Sequence, residues 1–175
     1  MAEDPPAGRE RTYVAVIGAG NASAAEKEAA EHIGALLGER GVVVVCGGLG
    51  GVMEAACRGA QSRGGTAVGL LPGRDRAVGN SYLTVALPTG MGELRNGLVV
   101  AACDAVIAVG GSWGTLSEIS LAMRTGKPTV VLDSWELRPA RPAAVGMPTT
   151  ADSAEEAVEL ALRMADGGSG QGAAG

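Results

Sequence analysis

The sequence predicts an α/β fold: one parallel sheet with helices packed on both of its faces. Three observations carry that prediction. Short runs rich in β-branched residues alternate with helix-length segments at the spacing of βα units. Residues 105–109, Ala-Val-Ile-Ala-Val, are apolar without alternation, as in a strand buried on both faces. Glycine clusters follow three of the strands, and right-handed crossovers would bring all three turns to the carboxyl edge of the sheet.

Each element can be justified in chain order. Residues 1–10 are Pro-rich and charged and read as a disordered tail before a domain spanning 11–165. The first strand, 12–17, ends in Gly18-Ala-Gly20-Asn-Ala-Ser23. A helix over 24–40 follows, with Ala25, Ala29, Ile33, Leu36 and Leu37 on one face and Glu26, Lys27, Glu28 and Glu31 on the other. Gly41 stops it. His32, the only histidine, sits on this helix away from any glycine turn, where a packing role at the boundary is expected. The second strand, 42–45, ends in Cys46-Gly47-Gly48-Leu-Gly50-Gly51, and a helix over 52–63 buries Met53, Ala56, Cys57 and Ala60. The third strand is 66–71. Residues 73–81 read as a mobile polar loop, 82–87 as the fourth strand and 91–102 as a helix that carries Arg95 and Asn96 early.

The fifth strand, 105–109, runs into Gly110-Gly111-Ser112-Trp113-Gly114. A helix opening at Thr115 and running to about 124 follows, and Asp104, just before the strand, is expected to hydrogen-bond structurally. Residues 129–132 form the sixth strand and 133–146 an irregular Pro/Arg stretch. A last helix, capped by Asp152 or Ser153, ends near Met164 before a disordered Gly/Ser/Ala tail, 166–175.

Composition limits the function. The 175 residues carry a net charge of −5, so the broad basic face of a nucleic-acid binder is not expected. Cys46, Cys57 and Cys103 have neither disulfide parity nor zinc spacing and read as reduced core thiols, with no metal site. The first residues have no apolar signal region and no run reaches membrane-spanning length, so a cytoplasmic protein with no membrane partner is expected.

The three glycine turns point to a phosphate-bearing small molecule, because small residues admit backbone N–H groups to an anion and a helix N-terminus favours negative charge. A dinucleotide cofactor is not expected. The first turn lacks the third glycine, and the second strand ends in Cys46-Gly47-Gly48 where an acidic ribose partner would stand. Two charged residues fall on the same edge. Arg95 can bind phosphate or balance charge on a leaving group, or it is a solvated surface charge. Glu118 can orient water and stabilise an oxocarbenium-like centre, or it completes a capping box with Thr115.

Gly47-Gly48-Leu-Gly50-Gly51-Val-Met53, Arg95-Asn96, the stretch from Asp104 to Glu118 and Gly126-Lys127-Pro128 together resemble the LOG family. These are cytokinin-activating nucleoside 5′-monophosphate phosphoribohydrolases, long mislabelled lysine decarboxylases. The resemblance covers about residues 14–132 and is nearest to a short bacterial branch that also resembles the molybdenum cofactor carrier proteins. It implies a Rossmann-like, doubly wound sheet in a single domain, a likeness to homodimers, and hydrolysis of an N-glycosidic bond without a cofactor. It further implies catalytic Arg95 and Glu118 and a phosphate site built from Gly20, Gly47, Gly48, Asn96, Gly110, Gly111, Ser112, Trp113, Gly114 and Thr115. The sequence departs from the family in reading Gly110-Gly111-Ser112 for Pro-Gly-Gly, and in a shorter segment between Glu118 and Lys127. The alternative reading is a carrier that binds such a phosphorylated ligand without turning it over. A DNA-handling protein is a third reading, opposed by the acidic charge.

Overall fold

The computed structural model describes residues 11–138 and 146–168. Seven strands form one all-parallel sheet: β1 (Tyr13–Gly18), β2 (Val43–Cys46), β3 (Ala67–Leu71), β4 (Val85–Pro88), β5 (Ala105–Val109), β6 (Thr129–Leu132) and β7 (Thr149–Ala151). Their spatial order is β4-β3-β2-β1-β5-β6-β7. The chain winds outward from β1 in one direction, returns to pair β5 with β1, and winds outward in the other. The register sets Val14 against Ala105 and Gly18 against Val109. This is the doubly wound, Rossmann-like arrangement expected from the sequence, and its topological switch point lies between the carboxyl ends of β1 and β5.

Among the described residues five α-helices cover the sheet: α1 (Ala24–Glu39), α2 (Val52–Ser62), α3 (Asn96–Ala101), α4 (Trp113–Arg124) and α5 (Ala154–Gly168). Alternate strand residues sort into two cores, as pleating requires. Val14, Val16, Val44, Ile107 and Val130 pack under α1, α2 and α5; Ala15, Ile17, Val45, Val106 and Ala108 pack under α3 and α4. With no Phe in the chain, the core is aliphatic and the helices come close. A Cβ on Gly59 of α2 would collide with the Glu31 carbonyl of α1, and one on Gly34 with the Ala56 carbonyl. Arg58 closes the same seam with an ion pair to Glu31 at 2.6 Å.

Several expectations are corrected. On α1, Ile33 and Leu37 are buried and Ala29 and Leu36 half-buried as expected, but Ala25 is exposed, and the rest of the buried face is Ala30, Gly34 and Gly38, small residues that let α2 come close. The segment 91–102 is a 3-10 turn, Gly92–Arg95, followed by the six-residue α3, so Arg95 sits at a joint rather than early in a long helix. Loop 73–81 holds a further 3-10 turn, Arg76–Val78, and its Asn80 side-chain amide donates to the Leu49 carbonyl at 3.0 Å. The fourth strand starts three residues later than expected. A seventh strand, β7, lies where none was assigned.

The last helix is capped by Ser153, whose Oγ accepts from the Glu156 amide at 3.1 Å, and it continues through residues 166–168, which had been read as tail. The rest of that tail, residues 1–10 and residues 139–145 of the Pro/Arg stretch lie outside the described residues. Asp104 takes the structural role expected of it, its carboxylate accepting from the Tyr13 amide at 2.8 Å. His32 is exposed, with Nε2 3.4 Å from Glu155 of α5. All three cysteines are free and buried. Among the described residues no helix is long and apolar enough to cross a membrane.

Candidate functional site

Because all seven strands are parallel, the glycine turns after β1, β2 and β5 emerge at one edge. Backbone hydrogen bonds fix them there, the first two to each other and the third to β6. The Val52 amide opening α2 donates to the Ala19 carbonyl of the first turn at 3.1 Å, and the Gly110 amide donates to the Leu132 carbonyl at the end of β6 at 3.0 Å.

At the switch point lies a cavity of about 130 Å³, lined by Ile17 and Gly18 from β1, Gly47 after β2, Met53 from α2, Arg95 and Asn96 from the 3-10/α3 joint, and Ser112, Gly114, Thr115 and Glu118 from α4. The structure thus brings together Arg95, Asn96, Glu118, Gly47, Ser112, Gly114 and Thr115 of the residues singled out in the sequence. Gly20, Gly48, Gly110, Gly111 and Trp113 stand around this cavity rather than in its wall. Gly20 is exposed, and Gly48 is engaged by the loop, its carbonyl accepting from the Asn80 amide at 2.9 Å. Gly110 is buried against the Glu26 carboxylate, Gly111 is exposed but lies against the Trp135 indole, and Trp113 projects into solvent.

Arg95 is a buried cation, only 8% exposed. Its Nη1 donates to Asn96 Oδ1 at 2.8 Å, its Nε is buried without a hydrogen-bond partner, and among the described residues it forms no ion pair. A charge so placed is costly unless something binds it. The reading of Arg95 as a solvated surface charge is therefore overturned. The guanidinium has room because Gly47 faces it without a side chain: a Cβ there would stand 2.5 Å from Nη1.

Glu118 is 7% exposed. Burial pushes its carboxyl up to about 7, and the Arg95 charge pulls it partly back. The capping-box reading also fails. Helix α4 begins at Trp113, two residues before Thr115, because Ser112 is its N-cap; Ser112 Oγ accepts from the Thr115 amide at 3.3 Å and pairs with Thr115 Oγ1 at 3.1 Å. Glu118 lies past the capping position, on the helix face that turns into the cavity. The first-turn amides of Trp113 and Gly114 have no helical acceptor, as at any helix start, while that of Thr115 is already used by the cap.

Sequence reasoning missed Ile17, Gly18, Met53 and Trp135. Met53 was placed correctly on the buried stripe of its helix, and only the strand order shows that this stripe ends at the cleft. Trp135 fell in a stretch read as irregular. Its signal was its position three residues past the end of β6, on the carboxyl edge, in a chain with only two tryptophans.

Comparison with known proteins agrees with the architecture. An uncharacterized protein of Archaeoglobus fulgidus is 41% identical over 130 residues, which are 71% of this chain and 85% of that protein. The molybdenum cofactor binding protein of the phototrophic bacterium Rippkaea orientalis superposes with a TM-score of 0.81 at 29% identity, over 90% of this chain and 99% of the other. The Moco carrier protein of Chlamydomonas reinhardtii superposes with a TM-score of 0.79 at 25% identity, over 90% and 99%. The resemblance to LOG-like and Moco carrier proteins read from the motifs is borne out. Residues 11–162 match the SLOG cluster4 family, and the chain is a member of it.

Proposed function

We propose that the cleft binds a phosphorylated, nucleotide-like small molecule and hydrolyses the N-glycosidic bond of a nucleoside 5′-monophosphate to free base and ribose 5-phosphate. The observation that carries this reading is the pairing, in one cavity, of a buried arginine lacking an ion-pair partner with a buried carboxyl whose pKa is raised to about 7. The phosphate accepts from Arg95 and from the free amides at the start of α4, where charge and helix dipole act together. Ionised Glu118 orients a water beside the anomeric carbon and stabilises positive charge there as the C–N bond breaks. A carboxyl near neutrality can take one proton from that water as its oxygen bonds to the anomeric carbon, and pass the proton to the departing base. Asn96 holds the guanidinium in place.

A second reading is favoured by one observation: the likeness to the molybdenum cofactor binding protein of Rippkaea orientalis over nearly the whole of both chains. On that reading the same cleft carries a phosphorylated cargo such as molybdenum cofactor without cleaving it. Incubation with AMP, GMP, CMP and an N6-substituted AMP, followed by chromatography, separates the two. Release of free base supports the hydrolase, and binding of a phosphorylated ligand with no base from any nucleotide supports the carrier. A cytoplasmic homodimer belongs to this proposal too. The dimer is supported by the apolar side chains of Met91, Leu94 and Leu98, which are 44%, 78% and 39% exposed.

A further inference from the structure

Trp113 and Trp135 are the only tryptophans in a chain with 2% aromatic residues and no Phe, and their rings meet beside Ser112, whose turn lines the cleft. Their ring centroids lie 5.1 Å apart with the planes tilted by 40°. Trp135 is half-buried and anchored. Its Nε1 donates to the Ser112 carbonyl at 3.3 Å, and Gly111 packs against its ring so closely that a Cβ there would stand 2.5 Å from Nε1. Trp113 is the first residue of α4 and is 77% exposed. Leaving so large an apolar surface in water is unfavourable, and here it is braced by a neighbour instead of being buried.

The cavity beside Arg95 holds about 130 Å³. Pockets that enclose a whole small-molecule ligand run to roughly 300–1,000 Å³. The cavity therefore has room for a phosphate and adjoining atoms, and the remainder of a nucleotide-sized ligand must lie over the residues at its mouth. Trp113 sits between Ser112 and Gly114, both of which line that cavity, so its backbone is about 3.8 Å from each of theirs. A ring joined to the phosphate through one sugar has the indole within its span.

We propose that Trp113, braced by Trp135, is a stacking platform for a planar fused heterocycle of the purine class carried by the phosphorylated ligand. This rests on the reading of the cleft as a phosphate site. It assigns base recognition to the indole face, which accepts any flat π system and is indifferent to a bare sugar phosphate.

The test is calorimetric titration of AMP and of ribose 5-phosphate into the wild type, Trp113→Ala and Trp113→Phe, with tryptophan emission read on rapid mixing. Trp113→Ala should weaken AMP roughly 5- to 150-fold, the range measured for base–aromatic stacking. Ribose 5-phosphate should bind it as it binds the wild type. Trp113→Phe should recover most of the AMP affinity, and AMP but not ribose 5-phosphate should quench wild-type emission and shield it from acrylamide. Equal AMP affinity in wild type and Trp113→Ala, with ribose 5-phosphate still bound, would overturn the platform and leave the phosphate site standing. Failure of the wild type to bind either compound would remove the phosphate site and the platform with it.

Discussion

Gly47 faces the guanidinium of Arg95 at a distance that excludes any side chain, since a Cβ on Gly47 would lie 2.5 Å from Nη1 and 2.6 Å from Nη2. The turn after β2 thus contributes to the site by what it lacks. It leaves a slot into which an arginine from a different crossover is laid.

Gly47→Ala should consequently act on the site more than on the fold. The atoms in its way are the end of a flexible side chain, so the protein should fold, with a melting temperature within a few degrees of wild type. The displaced guanidinium should weaken AMP binding by about tenfold or more, measured by calorimetry.

The opposite outcome is expected at the α1–α2 seam. A Cβ at Gly59 meets the Glu31 carbonyl, which is rigid backbone. Gly59→Ala should destabilise the protein by about 1–3 kcal/mol or more in urea unfolding, the range for overpacked cores. Its binding of AMP at low temperature should be unaltered, because the seam lies away from the cleft.

Glu118 predicts a pH dependence. Its carboxyl titrates near 4.5 when unfolded and near 7 in the native state, so the folded protein holds this proton more tightly. Stability from this group is therefore full below about pH 4.5, falls as pH rises towards 7, and is level above it, a change of about 3 kcal/mol at most. Glu118→Gln should remove that decline, so the difference in unfolding free energy between variant and wild type should grow from pH 5 to pH 8 in the variant's favour. If hydrolysis is the reaction, the same variant should lower turnover by orders of magnitude while retaining nucleotide binding, and wild-type kcat/KM should inflect near pH 7. A stability difference that does not change with pH would mean that Glu118 is ionised normally in the folded protein.

Much of this was legible in the sequence, and what was not has physical reasons. The unbroken apolar run of β5 and the glycine turns pointed to the parallel sheet and to the edge that holds the candidate cleft, because burial on both faces and helix-start chemistry leave plain residue patterns. Arg95 and Glu118 were expected to face one cleft and both line one cavity, while the choice between a cleft role and a cap or surface charge stayed open in the sequence. Thr115-x-x-Glu118 has the spacing of a capping box, yet Ser112 lies three residues upstream of Thr115 and caps the helix first. Arg95 read as an early helical residue because 3-10 and α turns share nearly the same apolar spacing. β7 escaped because three residues are too few to show a period, and its parallel pairing with β6 is a long-range contact that no local pattern encodes. The close α1–α2 contact was hidden for a related reason: glycines facing each other across helices look like weak helix formers until the partner is known.

Arg95 is a buried cation whose Nε has no hydrogen-bond partner, and the proposed phosphate site depends on it more than on any other residue. Arg95→Met keeps the volume and removes the charge, so it should fold at least as stably as the wild type. Calorimetric titration of AMP into the two proteins, each shown to be folded, is the direct test. The prediction is that the wild type binds and Arg95→Met binds at least tenfold more weakly; equal affinity in the two proteins would contradict the assignment of the cleft as a phosphate site.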